Sequence, residues 1–427
     1  MKKKVLVLGS GGREHVFAWS IAKDKNVDKV YCAPGNGGTA QVAENIPLNL
    51  SNQQEVVRVV KEKNIDLTVV GPETPLAEGI VDTFQTNGLR IFGPDAYGAQ
   101  LESSKLFARD LMAENNILHP DYYSCSTRQE AESLKAILKL PLVLKADGLA
   151  SGKGVIICEN DKDFDKGLEI MFDSSTFGDA ASRISLERCL SGEELSVFAI
   201  CDGKNYKIIG SAQDHKRAYD RDKGPNTGGM GAYSPTPFTT KTLIERIGSE
   251  IIEPTLSAMS VRGHPYKGFL YVGLMIVDGD PYVIEFNVRM GDPEAQVVLP
   301  LIKSSFFEIL WHAAEGMLHK TDVIISSKTA VTVVMAAEGY PGFYEKGMRI
   351  KGLKKLKNQL IFHAGTRQHS HDTLTTAGRV LNAVGFGTDL RSAIEDAYDI
   401  VKKVDFSGKF YRHDIGQRGL KYLKKGV

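Results

Sequence analysis

The stretch VIEFNVRMGDPE, residues 283–294, is the most informative part of this chain. In a β-strand, residues two apart point to the same face, so Glu285, Asn287 and Arg289 would share one face. The side chains expected to pack behind them are those of Ile284, Phe286 and Val288. A carboxylate, an amide oxygen and a cation on one face suit a magnesium-bound polyphosphate with an acidic substrate beside it, because Mg²⁺ usually binds through one or two carboxylates plus substrate phosphates.

Length and composition set the broad class of the protein. The chain has 427 residues, which predicts two to four domains. Hydrophobic residues make up 42% and charged residues 25%, as in ordinary globular proteins. The 53 basic and 52 acidic residues nearly cancel, which gives no electrostatic reason to expect a nucleic acid or a membrane as partner.

Cysteine spacing and hydrophobic runs narrow the class further. The five cysteines include no CxxC pair, so neither a metal cluster nor a disulfide framework is expected. The apolar stretch Val5–Leu8 near the N-terminus is too short for a signal peptide and predicts a first strand. No apolar run reaches the roughly 18 residues that a membrane span needs. We therefore expect a cytoplasmic protein.

Residues 1–102 alternate short apolar strands with helices, which is the pattern of a parallel doubly wound sheet. Ligands of such sheets bind at the carboxyl ends of the strands, and here those ends carry GSGG (9–12), PGNGG (34–38) and GPE (71–73). The expected strands are Val5–Leu8, Lys29–Cys32, Asp66–Val70 and Arg90–Phe92, and the expected helices are Arg13–Lys23, Asn52–Lys63 and Leu76–Asn87.

Two further units are expected after residue 102. A helix capped by Ser103 or Ser104 opens a domain of residues 103–320, in which a small α/β lobe occupies about 121–192. The later strands of this domain are longer and antiparallel in character, and residues 325–427 predict a small α+β module. The main elements expected here are strands Leu195–Cys201, Gly268–Val277, Tyr282–Val288, Ala330–Ala336 and Gly378–Ala383, and helices Lys241–Val261 and Leu390–Val404.

A glycine-rich turn, GSGGRE (9–14), lies between the first strand and the first helix. Backbone N–H groups at a helix N-terminus form a natural anion site. The turn fails as a dinucleotide fingerprint, because Glu14 stands at the third glycine position and no acid follows the second strand. The pattern therefore favours a single phosphate on a small substrate.

A second glycine-rich segment, KADGLASGKGV (145–155), connects two predicted strands. Only three residues separate Gly148 from Gly152, and Gly154 follows Lys153, so the segment is not a Walker A loop. It predicts a flexible hairpin that covers phosphates, with Lys145 at the strand end reaching one of them as a point charge. The ordinary alternative is a surface hairpin.

Two more segments are candidates for binding. ERCLSGEELS (187–196) joins the small lobe to the larger sheet, and such a hinge can pair an adenine edge or act as a plain polar linker. Residues 213–235 form a long, polar, glycine-rich segment, and long ordered loops in compact domains are usually functional. No serine, cysteine or histidine stands in a recognisable nucleophile context, so covalent catalysis by a side chain is not indicated.

In this order, these pieces resemble the ATP-grasp superfamily and, within it, the glycinamide ribonucleotide synthetase (phosphoribosylamine–glycine ligase) family. The most specific strings are QDHKR and PNTGGMGAYSP within 213–235. The others include GSGGREH (9–15), APGNGGTA (33–40), LKADGLASGKGV (144–155), GFLYVGLMI (268–276), VIEFNVRMGDPE (283–294), FHAGT (362–366) and GRVL (378–381). The resemblance covers nearly the whole chain.

The resemblance implies an α/β and α+β multidomain fold. It consists of a doubly wound preATP-grasp domain (1–102), an ATP-grasp domain (103–320) with a small lid lobe (121–192), and a small C-terminal α+β module (325–427). The implied reaction joins glycine to 5-phosphoribosylamine with ATP, through a glycyl phosphate, in the second step of de novo purine synthesis. The implied cofactor is Mg²⁺ or Mn²⁺, and the implied partners are small molecules bound by a monomer or small homo-oligomer.

The resemblance also implies roles for individual residues. ATP binding is implied for Lys105, Lys145, Gly148, Ser151, Gly152, Lys153, Gly154, Glu187, Arg188, Leu190 and Glu194. Metal binding is implied for Glu285 and Asn287, although the preceding strand carries no further acid. The substrate-binding set is Gly11, Gly12, Arg13, Glu73, Asp214, Lys216, Arg289, Gly291 and Asp292, and the catalytic set is Arg289, Asp214 and Lys145.

Three alternatives remain open from the sequence. The first is another ATP-grasp enzyme that uses bicarbonate or formate in place of glycine, against which the loop at 213–235 argues. The second is a nucleotide-dependent oxidoreductase built on the first glycine turn, against which Glu14 argues. The third is an inactive nucleotide-binding module, which the retained Lys105, Lys145, Glu285 and Asn287 disfavour.

Overall fold

The structure is a computed structural model that describes residues 2–149, 154–173, 182–356 and 358–423. Up to residue 92, the elements are β1 (Lys3–Gly9), α1 (Gly12–Ile21), β2 (Val27–Pro34), β3 (Glu44–Asn45), α2 (Gln53–Lys63), β4 (Leu67–Val70), α3 (Glu73–Ala77), α4 (Ile80–Thr86) and β5 (Ile91–Phe92). The five strands are parallel and form one sheet in the order β3-β2-β1-β4-β5. The predicted doubly wound sheet is confirmed.

The helix predicted over Leu76–Asn87 is wrong in one respect, since it is two helices. The chain breaks between α3 and α4 at Gly79, which has a φ of +79°. That left-handed conformation suits glycine and cannot continue a right-handed helix. The break lets α3 begin at Glu73, so the GPE segment lies at the N-terminus of a short helix at the edge of the sheet.

Residues 100–188 contain two helices that lead into a small lobe with its own core. The sheet of the lobe is antiparallel in the order β6-β9-β7-β8, and Leu142, Leu144, Ile184 and Leu186 are fully buried between it and its helices. The elements are α5 (Gln100–Ser103), α6 (Lys105–Glu114), β6 (Tyr122–Cys125), α7 (Arg128–Leu138), β7 (Leu142–Ala146), β8 (Val155–Cys158), α8 (Asp161–Leu168) and β9 (Ile184–Arg188).

The largest sheet in the described residues has nine strands and runs from the second unit into the C-terminal one. Its order is β16-β15-β10-β11-β14-β17-β21-β18, with β22 beside β17. Its elements and their neighbours are β10 (Glu193–Asp202), β11 (Tyr206–Asp214), β12 (Arg217–Tyr219), β13 (Lys223–Asn226), β14 (Gly231–Ser234), α9 (Lys241–Ile247), α10 (Glu253–Val261), β15 (Lys267–Val277), β16 (Asp280–Asn287), α11 (Ala295–Val298), α12 (Phe306–Ala314), β17 (Thr329–Ala337), β18 (Leu360–His363), β19 (Thr366–His369), β20 (Asp372–Thr375), β21 (Arg379–Gly387), α13 (Leu390–Lys403), β22 (Lys409–Phe410) and α14 (Gln417–Leu423).

The prediction that Ile284 packs in the core together with Phe286 and Val288 is wrong for Ile284. The register between β15 and β16 shifts so that Gly273 pairs with Glu285 while Leu274 pairs with Val283, which leaves Ile284 as a β-bulge. Val283, Phe286 and Val288 are therefore in the core, and Ile284 is only partly buried. The bulge re-aims the strand and frees the Ile284 carbonyl for contacts outside the ladder.

The glycine-rich strand ends of the first sheet meet the C-terminal strands. The Asn36 side-chain amide donates to the carbonyls of Ser10 (2.9 Å), Gly11 (3.2 Å) and His363 (2.9 Å). The His363 N–H donates to Nδ1 of the buried His15 at 2.8 Å. The first and the C-terminal units of the chain therefore meet at the end of β1, where the candidate site lies.

Candidate active site

The first group of charged residues in the site surrounds Glu187, the penultimate residue of β9. Arg109 on α6 bonds both carboxylate oxygens, with Nε–Oε1 at 3.0 Å and Nη2–Oε2 at 2.7 Å. Lys145 Nζ lies 2.9 Å from Oε2. All three side chains are buried, and the same two cations also donate to the carbonyl of Ile284 at 2.8 Å each. The bulge in β16 therefore anchors this group to the strand that carries Glu285.

The electrostatics of this group keep Glu187 charged. Burial alone would raise the pKa of Glu187, but Arg109 and Lys145 lower the pKa to about 2. Burial lowers the pKa of Lys145, and Glu187 opposes that shift. With two cations and one carboxylate, the group carries excess positive charge, which suits phosphate oxygens.

A second group surrounds Lys216 and is acidic. Lys216 Nζ lies 3.7 Å from Oε1 of Glu285 and 3.9 Å from Oε2 of Glu194. Asp214, the last residue of β11, and Glu294 are both buried beside it. Burial and the nearby carboxylates raise the pKa of Asp214, while the same acidic surroundings raise the pKa of Lys216 well above its usual range. Negative charge is in excess here.

Glu285 and Asn287 fit a divalent cation that is bound together with phosphates. Burial would raise the pKa of Glu285, but Lys216, Lys105 and Lys145 lower it to about 2, so the carboxylate is ionised. Opposite Glu285, a Cβ on Gly273 would lie 2.9 Å from the Glu285 Cγ, which leaves no room for an acid there. Among the described residues, no group of three His, Cys, Asp or Glu side chains could hold a metal ion. A cation at this site would therefore take its other ligands from phosphates.

Arg289 follows the end of β16 and is held between two acids. Its Nη2 lies 2.8 Å from Oε1 of Glu102, and its Nε lies 3.4 Å from Oε2 of Glu73. Nη2 also donates to Oδ1 of Asn287 at 3.2 Å, which fixes the Asn287 side chain. Burial lowers the pKa of Arg289 and the two acids raise it, with a net shift upward. Arg289 is a fixed cation next to the proposed metal ligands.

The glycine turn before α1 is closed by two carboxylates. Glu14 folds back and accepts the Gly11 N–H at 2.5 Å, and Asp292 accepts the Arg13 N–H at 3.2 Å. Arg13 donates from Nε to Glu14 (2.7 Å) and from Nη1 to the Met290 carbonyl (3.0 Å). Because the backbone N–H groups of Gly11 and Arg13 are occupied, a substrate phosphate at this turn has to be bound by side chains or by other N–H groups. The Glu14 side chain also fills the crevice against Gly9 and Gly71, where a dinucleotide would need space.

The structure describes only part of the glycine-rich hairpin at 145–155, and it describes the hinge at 187–196. Gly154 accepts the Ala146 N–H at 2.9 Å and closes the hairpin between β7 and β8, and Gly148 begins the connecting segment. Ser151, Gly152 and Lys153 lie outside the described residues. In the hinge, the N–H groups of Arg188 and Cys189 donate to the carbonyls of Asp121 and Pro141. Leu190 follows as the next candidate donor to an adenine edge.

Lys105 opens α6, and its Nζ donates to the Glu102 carbonyl at 3.1 Å, close enough to lower the pKa of Glu285. Gly291 lies tightly against Glu294, because a Cβ on Gly291 would come within 2.3 Å of that carboxylate. Gly12 is equally confined, since a Cβ there would lie 2.4 Å from the Gln296 amide. Lys105, Gly291 and Gly12 thus lie close to the residues at the ends of β16 and β1.

Sequence reasoning missed several residues of the site. Arg109 lies one helical turn after Lys105, so the spacing of α6 was a usable signal for it. Glu102 lies three residues before Lys105 but belongs to a separate short helix, and no pattern linked it to Arg289. Glu294 is the last residue of the segment 283–294, and the sequence predicts no role for it. Its burial and its position beside Asp214 depend on the fold and are not visible in the sequence.

Comparison with known proteins identifies the family of the chain. Residues 3–102, 103–295 and 330–418 match the N, ATP-grasp (A) and C domains of phosphoribosylglycinamide synthetase. The chain belongs to the phosphoribosylglycinamide synthetase family. The family membership and the ATP-grasp fold expected from the sequence are thereby confirmed.

Individual relatives cover the chain almost completely. Phosphoribosylamine–glycine ligase of Chlorobaculum tepidum is 43% identical over 98% of this chain and 100% of its own length. The crystal structure of phosphoribosylamine–glycine ligase from Thermotoga maritima is 34% identical, with a TM-score of 0.85, and covers 96% of this chain and 99% of that one.

A more distant structure shares the fold alone. It is the biotin carboxylase domain of the Hydrogenobacter thermophilus 2-oxoglutarate carboxylase, in complex with MgADP, ADP and bicarbonate. It is 17% identical, with a TM-score of 0.73, and covers 100% of this chain and 98% of that one. ATP-grasp enzymes in general use ATP with divalent metal ions. In the parts of this chain that the structure describes, no helix has the length and apolarity of a membrane span.

Proposed function

We propose that this chain ligates glycine to 5-phosphoribosylamine with ATP, giving glycinamide ribonucleotide, ADP and phosphate, as the second step of de novo purine synthesis. The observation that carries the proposal is the pair of charged groups on either side of Ile284 and Glu285. The group around Glu187 has excess positive charge, and the group around Lys216 has excess negative charge. Family membership supports the same reaction.

Glycine is a zwitterion that matches this separation of charge. Its carboxylate, facing Lys145 and the polyphosphate, would attack the γ-phosphorus and form glycyl phosphate with release of ADP. Its ammonium group would face the acids around Lys216, one of which is the buried Asp214. Phosphoryl transfer depends on positioning and charge neutralisation rather than on a nucleophilic side chain.

The second step forms the amide. The amine of phosphoribosylamine attacks the carbonyl carbon of glycyl phosphate, phosphate leaves, and the amine gives up a proton. Asp214 and Arg289 are proposed to serve this step, with Asp214 near the amine and Arg289 near the leaving phosphate. Exclusion of water from the site would protect the acyl phosphate from hydrolysis.

Glu285 and Asn287 would hold the divalent cation that accompanies ATP. We propose Mg²⁺, or Mn²⁺ in its place, because one ionised carboxylate and one amide oxygen leave most of the coordination to phosphates and water. When bound, the cation neutralises charge on the transferring phosphoryl group. We further propose a monomer or small homo-oligomer that works in the cytoplasm.

A substrate-omission matrix tests the proposed function. Phosphate release from ATP and Mg²⁺ is measured with and without glycine and with and without phosphoribosylamine generated in situ, and the product is identified by mass. Release that requires both substrates, together with glycinamide ribonucleotide, supports the proposal. Release with bicarbonate or formate but not with glycine would overturn the substrate assignment, and absence of any release would support the inactive module.

A further inference from the structure

Arg379, the first residue of β21, lies where three segments of the chain meet. Its Nη1 donates to the carbonyl of Gly228 at 2.7 Å and approaches that of Gly229 at 3.4 Å. The same nitrogen donates to the carbonyl of Asp292 and lies 3.4 Å from the Asp292 Oδ1. One guanidinium nitrogen therefore joins the loop between β13 and β14 to the turn that follows Arg289.

The two loops are built to fit closely around this guanidinium. A Cβ on Gly228 would lie 2.9 Å from both Cζ and Nη2 of Arg379, so only glycine lets the loop lie flat on it. Gly229 has a φ of +111°, and a Cβ there would lie 2.4 Å from Cδ of Pro293. The two loops thus touch each other directly beside Arg379.

The C-terminal unit also covers this contact from the other side. The Gly228 N–H donates to the Tyr340 hydroxyl at 3.2 Å. The Tyr340 ring lies over Gly378, where a Cβ would come within 2.1 Å of Cδ2. Burial lowers the pKa of Arg379, but the carboxylate of Asp292 raises it by a larger amount. The net shift is upward, so the guanidinium stays charged.

Asp292 extends the connection to the glycine turn. It accepts the Arg13 N–H at 3.2 Å through Oδ2 and the Gln296 amide at 2.8 Å through Oδ1. The chain of contacts therefore runs from β21 through Asp292 to the N-terminus of α1. On its other branch it reaches Gly228 and Gly229, which lie 12 to 15 residues after Asp214 and Lys216 within the segment 213–235.

We propose that Arg379 is a positioning residue that holds these two loops together, so that the C-terminal unit sets where glycyl phosphate meets the attacking amine. This inference rests on the proposed function. Misplacement of a reactant by about 1 Å can reduce a rate roughly 10²-fold. If the loops drift apart, water instead of the amine attacks the acyl phosphate, which regenerates glycine and releases phosphate.

The test compares Arg379→Lys and Arg379→Met with wild type. The matched control is Arg349→Met, because Arg349 pairs with Asp372 at 2.9 Å on the exposed surface of the same unit. Phosphate released per glycinamide ribonucleotide formed is measured together with the KM values for ATP, glycine and phosphoribosylamine. Hydrogen exchange of the peptide covering 224–231 is measured without substrates.

We expect the Arg379 variants to release more than one phosphate per product and to raise the KM for phosphoribosylamine, because loops that are no longer held together misplace that substrate. The KM for ATP should stay unchanged, and the 224–231 peptide should exchange faster. Arg349→Met should match wild type throughout. If Arg379→Met fails to fold, the Lys variant and Gly228→Ala, which alters the contact from the loop side, carry the same expectations.

The outcomes separate this inference from the proposed function. A wild type that forms no glycinamide ribonucleotide would overturn the function. A wild type that forms it, with Arg379 variants whose coupling ratio and hydrogen exchange match those of Arg349→Met, would overturn only the role of Arg379. Equal increases of all three KM values without a change in the coupling ratio would also overturn it, because they indicate a general structural defect.

Discussion

Two groups of charged residues meet at Ile284 and Glu285, and their charge balance is opposite. Around Glu187, two buried cations compensate one carboxylate and hold its pKa at about 2. Around Lys216, a single cation faces several acids, and burial beside them raises the pKa of Asp214. Groups with perturbed pKa values cluster at functional sites, because catalytic groups need pKa values that match their task.

The difference indicates separate tasks within one site. The positive group has fixed geometry, since Arg109 bonds Glu187 with two nitrogens and both cations are tied to the Ile284 carbonyl. The negative group is looser, with distances of 3.7 and 3.9 Å from Lys216 to its acids. A rigid positive side suits phosphates, and a looser negative side suits a metal ion and an ammonium group that arrive with the substrates.

The largest expected effect comes from breaking the positive group. Arg109→Met leaves the buried Glu187 with Lys145 and the Ser185 hydroxyl as partners, and removal of one partner of a buried ion pair costs about 3–5 kcal/mol. Urea unfolding at pH 7 measures this loss. The control is Arg58→Met, which removes an exposed pair with Glu62 and should change stability by less than about 1 kcal/mol. Similar losses in both variants would contradict a special role for the buried group.

The next effect concerns the point where the two groups meet. Glu285→Gln removes the ionised carboxylate proposed to bind the metal ion, and we expect kcat to fall roughly 10²-fold or more. Steady-state ADP formation at several Mg²⁺ concentrations measures it. Near-normal turnover at all Mg²⁺ concentrations would remove Glu285 from the metal site. Glu250→Gln, in an exposed pair with Arg246, serves as the control.

The two groups should also respond to pH in opposite directions. Glu187 has a lowered pKa, so its contribution to stability is present above the usual carboxyl pKa and is lost as the pH falls toward 2. Asp214 has a raised pKa, so its contribution is present below the usual carboxyl pKa of about 4 and is lost as the pH rises through the raised value.

Asp214→Asn should remove the second of these trends. We expect the substrate-free wild type to lose up to about 1.4 kcal/mol per pH unit from Asp214 as the pH rises above 5, and the Asn variant to lack that slope. Free energies of unfolding between pH 5 and 8 measure it. Identical slopes in both proteins would show that Asp214 is ionised throughout.

The smallest expected effect concerns the glycine turn. Arg13→Ala should raise the KM for phosphoribosylamine roughly tenfold and leave that for ATP unchanged, if the guanidinium reaches the substrate as well as Glu14 and Met290. Initial rates with each substrate varied in turn measure it. Equal increases in the KM values for phosphoribosylamine and ATP would show that Arg13 only supports the local structure.

The strand pattern was readable from the sequence because it depends on local periodicity. The run Val5–Leu8, the strand expected at Leu195–Cys201 and the helix cap expected at Ser103 or Ser104 all correspond to elements that the structure contains, with the cap at Ser104. The failures have local physical causes. Gly79 adopts a left-handed conformation that splits a helix, and the bulge at Ile284 shifts which side chains reach the core.

The partners of the site residues were less predictable. Glu285, Asn287 and Arg289 share one segment, so their nearness followed from the sequence, but the Glu102–Arg289 and Arg109–Glu187 pairs depend on packing between distant elements. The same holds for Arg379, which reaches Gly228 and Asp292 across the sheet. Local patterns carry no information about such long-range pairs.

The most direct test of the charge separation follows the oxygen atoms of glycine. If the carboxylate of glycine faces ATP on the positive side, [¹⁸O₂]glycine should transfer one ¹⁸O to the released phosphate in each turnover, as measured by mass spectrometry of the phosphate. Phosphate that carries no ¹⁸O while glycinamide ribonucleotide still forms would contradict the account, because the carboxylate would then not have accepted the phosphoryl group.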